Sequence, residues 1–544
     1  MNSSAFRDKE NVERLRGNGD YTRMKSQWWL FTAVLIALLP LVFLRDFTPS
    51  NELRYLSIAD ESLHTERWWA FTNHGLAYAD KPPLYLWIVM LGKWLFGSHQ
   101  MWFLSLFSVI PAFVVTEVMN RWTFRLMKPE FRIVAAMMLL SCGLFLGMCI
   151  VLRMDMLMTM FIVLALRRFE ILMQTEGRAS LKSRLLFPIW IFLAVFSKGP
   201  MGILIPLVAT TVYLWQQHRL RTWGFYWGWL TWGVLFILCA CWFGAVYAEG
   251  GTEYLDNLLV KQTVGRGVNS FHHKAPVWYY LTSLPYTLLP WTFLIIGSIV
   301  VSIMRRKKES SATERYFVTI ILSTLVLLSL ISSKIQVYML PAYPFMVYVA
   351  ALVSSRHSHS RYAALAVMIP VCMLAIAGIA AGILWLNLDG ASRRWWMLVE
   401  AAILLAGTTA AYWWLYCSRN LRAAAFSLGA TLLALVFAAG FAVQEFNPDL
   451  GYRALAGKGS EVSAANGNAP IICLDLNRPE NMDVYFGERT FRIEESQDGE
   501  RFVPGEKCVL LIDAENVGNV DGIKEEWPVG RKYKVVLALP FTDE

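Results

Sequence analysis

The sequence predicts a polytopic α-helical membrane protein that carries a small α/β domain at its C-terminus. The 544 residues are 56% hydrophobic and only 17% charged, with a mean hydropathy of +0.42, whereas soluble domains carry roughly 25% charged residues. Several apolar runs are long enough to cross a ~30 Å hydrocarbon core, which requires about 20 residues. The tail differs in charge, because residues 445–544 hold 19 acidic and 11 basic side chains.

The basic loops give the expected topology. Lysine and arginine stay on the cytoplasmic side of a membrane, so an even number of spans must separate consecutive basic stretches. These stretches occupy residues 7–25, 121–132, 167–184, 218–221, 305–308, 356–361 and 419–422. The net charge of +9 therefore reports orientation in the membrane and does not indicate nucleic-acid binding.

About thirteen transmembrane helices satisfy this rule. The predicted spans are 28–44, 101–120, 132–152, 156–168, 185–197, 200–216, 224–246, 276–304, 316–332, 335–354, 362–386, 397–416 and 422–443. Leu84 to Phe96 must not cross, and its shortness and Lys93 favour an interfacial or re-entrant helix. Residues 1–27 are polar and read as a cytoplasmic N-terminal segment rather than a cleaved signal. The transmembrane domain is then 28–443, and 444–544 is extracytoplasmic.

Two regions outside the spans have patterns of their own. In the first outer loop, apolar residues from Tyr55 to Ala70 recur at helical spacing, which is typical of a helix lying in the interface. In the tail, the runs Ile471 to Leu476, Val509 to Ile512 and Tyr533 to Leu539 lie between turn residues and predict strands. Cys473 and Cys508 of this tail are free to pair if the domain is extracytoplasmic.

The topology places six ionisable segments on one side of the membrane. They are 52–55, 80–82, 153–155, Lys198, 261–274 and 333–334. Charges next to hydrocarbon cost at least a few kcal/mol, so they usually line a polar pathway or a site. Their position on one face, at helix ends, indicates chemistry at the bilayer surface.

Each segment has a functional and a structural interpretation. Lys81 precedes a helix start, where free N–H groups also favour a phosphate. Asp155 is either one half of a structural pair with Arg153 or a carboxylate held as a base. Glu52 and Arg54 form either a loop salt bridge or a carboxylate beside an anion-binding guanidinium.

The later loops are equally ambiguous when each is taken alone. The basic residues from Lys261 to Lys274, followed by aromatic residues, fit an anionic lipid headgroup or an ordinary aromatic belt. Lys334 interrupts two apolar runs and needs an anionic partner, such as a phosphate. His272 and His273 lack the spacing of a zinc helix.

In this order the segments resemble the GT-C polyprenyl-phosphate-sugar glycosyltransferases, in particular the aminoarabinose lipid A transferase group, which is related to the protein O-mannosyltransferases. The resemblance rests on Glu52-Leu53-Arg54-Tyr55, Tyr78 to Trp87, Arg153-Met154-Asp155, Ser197 to Pro200, His273 to Tyr280 and Ser333 to Pro344. It covers roughly residues 28 to 350. This sequence departs from the family pattern at two places: Asn51-Glu52 stands where a carboxylate pair is expected, and Asp80-Lys81-Pro82 stands for Glu-Lys-Pro.

The resemblance implies three groups of site residues and a membrane-bound donor. Its carboxylates with catalytic roles are Asp155, Glu52 and Asp80, its donor-phosphate ligands are Lys81, Arg54, Arg266 and Lys334, and its further substrate contacts are Tyr55, Tyr78, Lys274 and Tyr338. The donor is a sugar carried on undecaprenyl phosphate. The sequence does not decide whether a divalent cation assists.

The implied activity is transfer of 4-amino-4-deoxy-L-arabinose, or another pentose or hexose, to lipid A or to another glycan or protein acceptor of the cell envelope. The enzyme is expected in the bacterial inner membrane with its site facing the periplasm. Two alternatives stay open. One is an enzyme of the protein O-mannosyltransferase type, and the other is a flippase or transporter of lipid-linked sugars.

Overall fold

The computed structural model describes residues 28–175, 178–260, 274–304, 310–357, 360–389, 394–487, 489–496 and 501–540. The first half of the chain forms α1 (Trp28–Leu44), α2 (Arg54–His64), β1 (Thr72–Asn73), β2 (Leu76–Ala77), α3 (Leu84–Phe96), α4 (Met101–Trp122), α5 (Pro129–Leu140), α6 (Gly143–Ile150), α7 (Asp155–Gln174), α8 (Leu181–Lys198), α9 (Met201–Gln216), α10 (Trp223–Tyr226) and α11 (Trp229–Asp256). The remaining helices of the bundle are α12 (Tyr279–Thr287), α13 (Thr292–Met304), α14 (Ala312–Leu330), α15 (Tyr343–Arg356), α16 (Arg361–Asn387), α17 (Trp395–Tyr416) and α18 (Leu421–Leu450).

The helices coincide with the apolar runs because a backbone in hydrocarbon must satisfy its own hydrogen bonds. In the described part of the chain, seven helices are long and apolar enough to span a membrane, and up to nine do so if each of two bent pairs is one span. The expected number of about thirteen crossings is not confirmed.

Breaks in the helices explain part of the difference. The predicted span 132–152 consists of α5 and α6, which meet at a bend of 64°. The predicted span 276–304 is divided between α12 and α13, and 335–354 begins as the 3₁₀ helix Gln336–Ala342. A further bend of 78° separates α1 from the helical turns Pro49–His64. Hydropathy alone does not reveal the break between α5 and α6, because the residues on both sides of it are apolar.

The C-terminal domain is a mixed sheet of five strands behind one helix, α19 (Arg453–Ala465). Its strands are β3 (Ile471–Leu474), β4 (Phe491–Glu494), β5 (Cys508–Asp513), β6 (Ile523–Val529) and β7 (Tyr533–Ala538), in the order β4-β3-β5-β7-β6. The pairs β4–β3 and β3–β5 are parallel, whereas β5–β7 and β7–β6 are antiparallel. The predicted small α/β domain is thus confirmed, as are its three predicted strands.

The pairing considered for Cys473 and Cys508 is wrong. Cys473 lies opposite Leu511 in the sheet, three residues along β5 from Cys508. Because side chains alternate between the two faces of a strand, the two thiols lie on opposite faces. Both are free and buried. Burial raises the pKa of the Cys473 thiol to about 12 and that of Cys508 to about 11, which leaves them as unreactive core residues.

The domain packs on one end of the bundle, which we call the domain-side end. Asp46, just after α1, accepts hydrogen bonds from the hydroxyl of Tyr485 at 3.0 Å and from the backbone N–H of Arg453 at 3.2 Å. Ser57 of α2 donates to the Asp483 carboxylate at 2.7 Å. Helix α2 is therefore enclosed between the bundle and the domain.

Asp483, at the start of the short helix α20 (Asp483–Phe486), makes the stability of this junction depend on pH. Burial raises the pKa of its carboxyl, although the hydrogen bond from Ser57 and the charge of His74 act in the opposite direction. A carboxyl that binds its proton more tightly in the folded state stabilises the fold as pH falls through the raised pKa. We expect Asp483→Asn to unfold at a higher temperature than the wild type at neutral pH.

Thermal unfolding of both proteins in detergent, at neutral and at acidic pH, measures this effect. The difference in midpoint should shrink as pH falls, since the wild-type carboxyl then becomes neutral as well. Asp521→Asn, at a surface pair with Arg501, is the control and should change little. A lower midpoint for Asp483→Asn at neutral pH would show that the charged form is the stabilising one.

Candidate functional site

The first turn of α2 places a guanidinium between two phenol rings. The carbon Cζ of Arg54 lies 5.9 Å from the ring centre of Tyr55 and 5.6 Å from that of Tyr78. Arg54 also donates to the side-chain oxygen of Asn51 at 3.4 Å. This arrangement holds the guanidinium at the domain-side end, where it is half-buried.

Asp155 begins α7 and is held by two cations. Arg153 contacts it through Nε at 3.0 Å, and the ammonium group of Lys198, at the end of α8, pairs with its other oxygen. The Asp155 side chain is only 1% exposed. A negative charge in the first turn of a helix is further favoured by the helix dipole. The structural pair with Arg153 is therefore present, and Lys198 is a second partner.

Asp80 and Lys81 join this group from the loop between β2 and α3. The charges of Arg153 and Lys81 both act electrostatically on the Lys198 ammonium. Asp80 and Arg153 both act electrostatically on the phenol of Tyr55. Tyr338 is a third aromatic side chain at this group, and its ring centre lies 4.8 Å from the Lys198 ammonium. We call Tyr55, Tyr78 and Tyr338 the aromatic wall.

We call this group of side chains the cationic cluster. Its charged members are the four cations Arg54, Lys81, Arg153 and Lys198 and the two carboxylates Asp80 and Asp155. These members carry an excess of two positive charges at the edge of an apolar bundle. An anion is the natural ligand for such an excess, and a phosphate accepts several charge-assisted hydrogen bonds at once.

Glu52 is enclosed by hydrogen-bond donors, and the catalytic role that the resemblance gives it stays a prediction. Its carboxylate accepts five hydrogen bonds: two from Arg45 at 2.7 and 2.8 Å, two from Thr48 at 2.9 and 3.0 Å, and one from the backbone N–H of Leu152 at 2.9 Å. Its side chain has no exposed surface. Glu52 thus connects the turn after α1 to the short loop between α6 and α7.

This geometry predicts a structural effect at Glu52. Glu52→Gln places an amide donor against the donors of Arg45 and Thr48, and removing one partner of a buried pair costs about 3–5 kcal/mol. We expect a clear fall in the unfolding midpoint measured in detergent. Glu117→Gln is the matched control, because its pair with Arg121 is partly exposed and exposed pairs contribute about 0–1 kcal/mol. Equal midpoints for the two variants would contradict this assignment.

Lys334 and Lys274 lie beside each other in a second polar group. Lys274 forms a β-bridge with Ser333, and the buried ammonium of Lys334 donates to the carbonyl oxygens of Ala275 at 3.1 Å and Ile331 at 2.6 Å. Lys334 therefore fastens the chain at Ala275 to the end of α14. The phosphate role given to Lys334 and the substrate role of Lys274 stay predictions.

Arg266 lies outside the described residues, as do all residues from Lys261 to His273. Among the residues that the structure does describe, no group of three or more His, Cys, Asp or Glu side chains is arranged to hold a metal ion.

Sequence reasoning missed two partners. It gave no role to Arg45, which neutralises Glu52, and it did not connect Lys198 with Asp155, which lies 43 residues earlier. The sequence does mark Lys198 as a helix end, because it closes an apolar run and is followed by a glycine. In the structure Gly199 has a φ of +103°, a value accessible mainly to glycine. No comparable signal marks Arg45.

Solved structures share this fold. ArnT from Cupriavidus metallidurans bound to undecaprenyl phosphate superposes with a TM-score of 0.70 at 16% sequence identity, covering 94% of this chain and 98% of that chain. The apo form of the same protein gives a TM-score of 0.67 at 17% identity. Both superpositions include the helical bundle and the C-terminal domain, since they cover 94% of this chain.

Curated sequences give a second comparison. The undecaprenyl phosphate-alpha-4-amino-4-deoxy-L-arabinose arabinosyl transferase of Erwinia tasmaniensis is 27% identical over 331 residues, which are 59% of this chain and 58% of that protein. The protein of the same name from Edwardsiella ictaluri is 27% identical over 326 residues, 58% of this chain and 57% of its own length. The chain thus matches a little over half the length of these relatives. No protein-family model matches it.

The chain has the fold of ArnT, a fold of many membrane-spanning helices with a C-terminal domain. Its sequence is similar to those of the arabinosyl transferases named above.

Proposed function

We propose that this protein is a glycosyltransferase that moves a sugar from undecaprenyl phosphate to lipid A or another acceptor of the cell envelope. The relatives' names suggest 4-amino-4-deoxy-L-arabinose as the sugar. We further propose that it lies in the inner membrane, with residues 1–27 in the cytoplasm and the domain-side end, including 444–544, in the periplasm. Within this proposal residues 28–443 form the catalytic membrane domain.

The cationic cluster is the observation that carries this proposal. In a polyprenyl-phosphate sugar the phosphate is a diester with one negative charge. When the bond from the anomeric carbon to the phosphate oxygen breaks, that oxygen keeps the bonding electrons and the phosphate gains negative charge. Two excess positive charges therefore interact more strongly with the transition state than with the bound donor, and such differential binding accelerates a reaction.

The geometry supports different roles for the side chains of the cationic cluster. Lys81 and Arg54 bind the leaving phosphate, and Arg153 and Lys198 supply further positive charge. Asp155 orients those two cations, since both of its oxygens are paired with them. Tyr55, Tyr78 and Tyr338 form the aromatic wall beside the phosphate and the sugar.

Asp80 is the carboxylate that we assign to the acceptor. It is partly exposed, whereas Glu52 and Asp155 are enclosed by their partners. A base must come within hydrogen-bond reach of the group that it deprotonates, and Asp80 is the accessible carboxylate of the cluster. Attack by the acceptor forms the new glycosidic bond, and its proton passes to Asp80 or to water.

The competing function is movement of a lipid-linked sugar across the membrane without transfer. Transporters place their ionisable residues near the middle of the bilayer, often on broken helices. Here the charges lie where α7 begins and α8 ends, at the domain-side end. This position favours chemistry at the membrane surface over transport.

An assay with radiolabelled undecaprenyl-phosphate sugar separates the two functions. Purified protein in liposomes is given this donor and lipid A, and the label is followed by extraction and chromatography. A transferase attaches label to the acceptor and releases undecaprenyl phosphate. Label that crosses the bilayer but stays on the polyprenyl lipid would contradict the proposal. A glycoprotein as the acceptor in a parallel reaction tests the protein O-mannosyltransferase alternative.

A further inference from the structure

The C-terminal end of α11 contacts the loop that leads from α2 to Lys81. Glu249, on this helix, receives hydrogen bonds from three successive backbone N–H groups of the segment after α2. The distances to its Oε1 are 3.0 Å from Trp68, 3.0 Å from Trp69 and 2.9 Å from Ala70. Successive N–H groups that converge on one anion form a nest with positive partial charge. The charged acceptor makes these bonds stronger than neutral ones.

Tyr254 lies just over one turn further along the same helix and holds the base of the β1–β2 hairpin. Its hydroxyl donates to the carbonyl oxygen of Tyr78 at 2.7 Å and accepts from the backbone N–H of Phe71 at 3.1 Å. Phe71 and Tyr78 are also bonded to each other, through N–H and carbonyl at 2.8 Å. Tyr254, which is only 6% exposed, thus fixes both sides of the hairpin two residues before Asp80.

The glycines between these two side chains allow the close approach. A Cβ atom at Gly250 would lie 2.6 Å from the Cβ of Ala70, so any larger residue would push the loop away. Gly251 has a φ of +70° and bends the helix at this point. The helix end is therefore shaped to receive the loop.

We propose that residues 249–254 of α11 form a positioning site that sets Asp80 and Lys81 in the cationic cluster. Glu249 and Tyr254 do not contact the substrate in this assignment. They act through the loop, whose two ends they hold against a membrane helix. The assignment rests on the proposed function, because it explains how the phosphate-binding lysine is oriented.

Two conservative variants test the site, each with a matched control on the same helix. Tyr254→Phe removes only a hydroxyl, and Glu249→Gln replaces the carboxylate by a weaker, neutral acceptor. Tyr247→Phe is the first control, because Tyr247 is 54% exposed. Glu253→Gln is the second, because Glu253 is exposed as well. Hydrogen exchange of the amides of residues 68–71 in the full-length protein should accelerate in both test variants and stay unchanged in both controls.

Kinetics then separate positioning from a general loss of folded protein. We expect the KM for the undecaprenyl-phosphate sugar to rise about tenfold in Tyr254→Phe and Glu249→Gln. The KM for the acceptor can change as well, because the same loop carries Asp80. A merely structural defect would lower kcat by reducing the active fraction and leave both KM values unchanged. Faster exchange with an unchanged donor KM would overturn the proposal.

Binding of undecaprenyl phosphate alone provides a readout that does not depend on transfer. If the wild type binds this lipid but transfers no sugar, the proposed function fails while the positioning site can still be judged. In that case weaker binding by the two test variants than by the two controls supports the site. Equal binding by all four variants overturns it.

Discussion

Replacing Lys81 by alanine is expected to lower sugar transfer at least tenfold. Lys81 belongs to the cationic cluster, where its charge acts on the ammonium of Lys198. It lies just before the start of α3, where free backbone N–H groups add positive potential. A hydrogen bond to a charged group contributes about 1.5–3 kcal/mol, which corresponds to a roughly 10- to 150-fold change in rate. The loss should appear in kcat as well as in donor KM, because the contact strengthens as the phosphate leaves.

Initial rates with radiolabelled donor in proteoliposomes measure this effect. Lys93→Ala is the matched control, since Lys93 lies on α3, the helix that follows Lys81, and pairs with Asp60 while both side chains are partly exposed. Lys81→Arg keeps the charge but changes its geometry and should recover part of the activity. Transfer by Lys81→Ala at the rate of Lys93→Ala would remove Lys81 from the site.

Asp155→Asn should have an effect of similar size for a different reason. The substitution leaves Arg153 and Lys198 without the carboxylate that they share, and breaking a buried pair costs about 3–5 kcal/mol. We expect transfer to fall at least tenfold and the unfolding midpoint to fall with it. Asp256→Asn, at the exposed end of α11, is the control and should leave both quantities unchanged.

A double variant separates orientation from stability. Asp155→Asn combined with Lys198→Met removes the carboxylate and one of its cations, and replacing a buried ion pair by neutral residues is often close to neutral for stability. The midpoint should therefore recover while transfer stays low, because Lys198 no longer contributes its charge and Arg153 has lost the carboxylate that orients it. The excess of two positive charges is the same in this variant as in the wild type. Near-normal turnover in Asp155→Asn would show that neither the pair nor its charge serves the reaction.

Several parts of this fold follow from short-range patterns. The run from Trp28 to Leu44 is predicted as a span with the bounds that the structure gives, since a long apolar run in hydrocarbon can only be helical. The strand at Tyr533 is predictable too, because alternating apolar residues between turns favour an extended chain. The distribution of basic loops alone predicts that the ionisable segments lie on one side of the membrane.

Other features require distances that no spacing rule supplies. Nothing in the sequence near Glu52 distinguishes a catalytic carboxylate from one enclosed by Arg45 and Thr48. Lys334 was expected to need an anion, yet the carbonyl oxygens of Ala275 and of Ile331, at the end of α14, satisfy two of its donors. In both cases the partner depends on how a side chain is oriented after the helices have packed. The break between α5 and α6 also depends on packing, because the apolar run continues across it.

By itself, the sequence determined the membrane class, the positions of many helices and the small α/β domain at the C-terminus, and it predicted that the charged segments lie on one side of the membrane. These properties depend on hydropathy, charge and local backbone preference, which act over a few residues. Only the tertiary structure decided which charges meet. It joined Asp155 to Lys198, enclosed Glu52, and held the Lys81 loop against α11, because each of these contacts joins residues that are brought together only when separate helices pack.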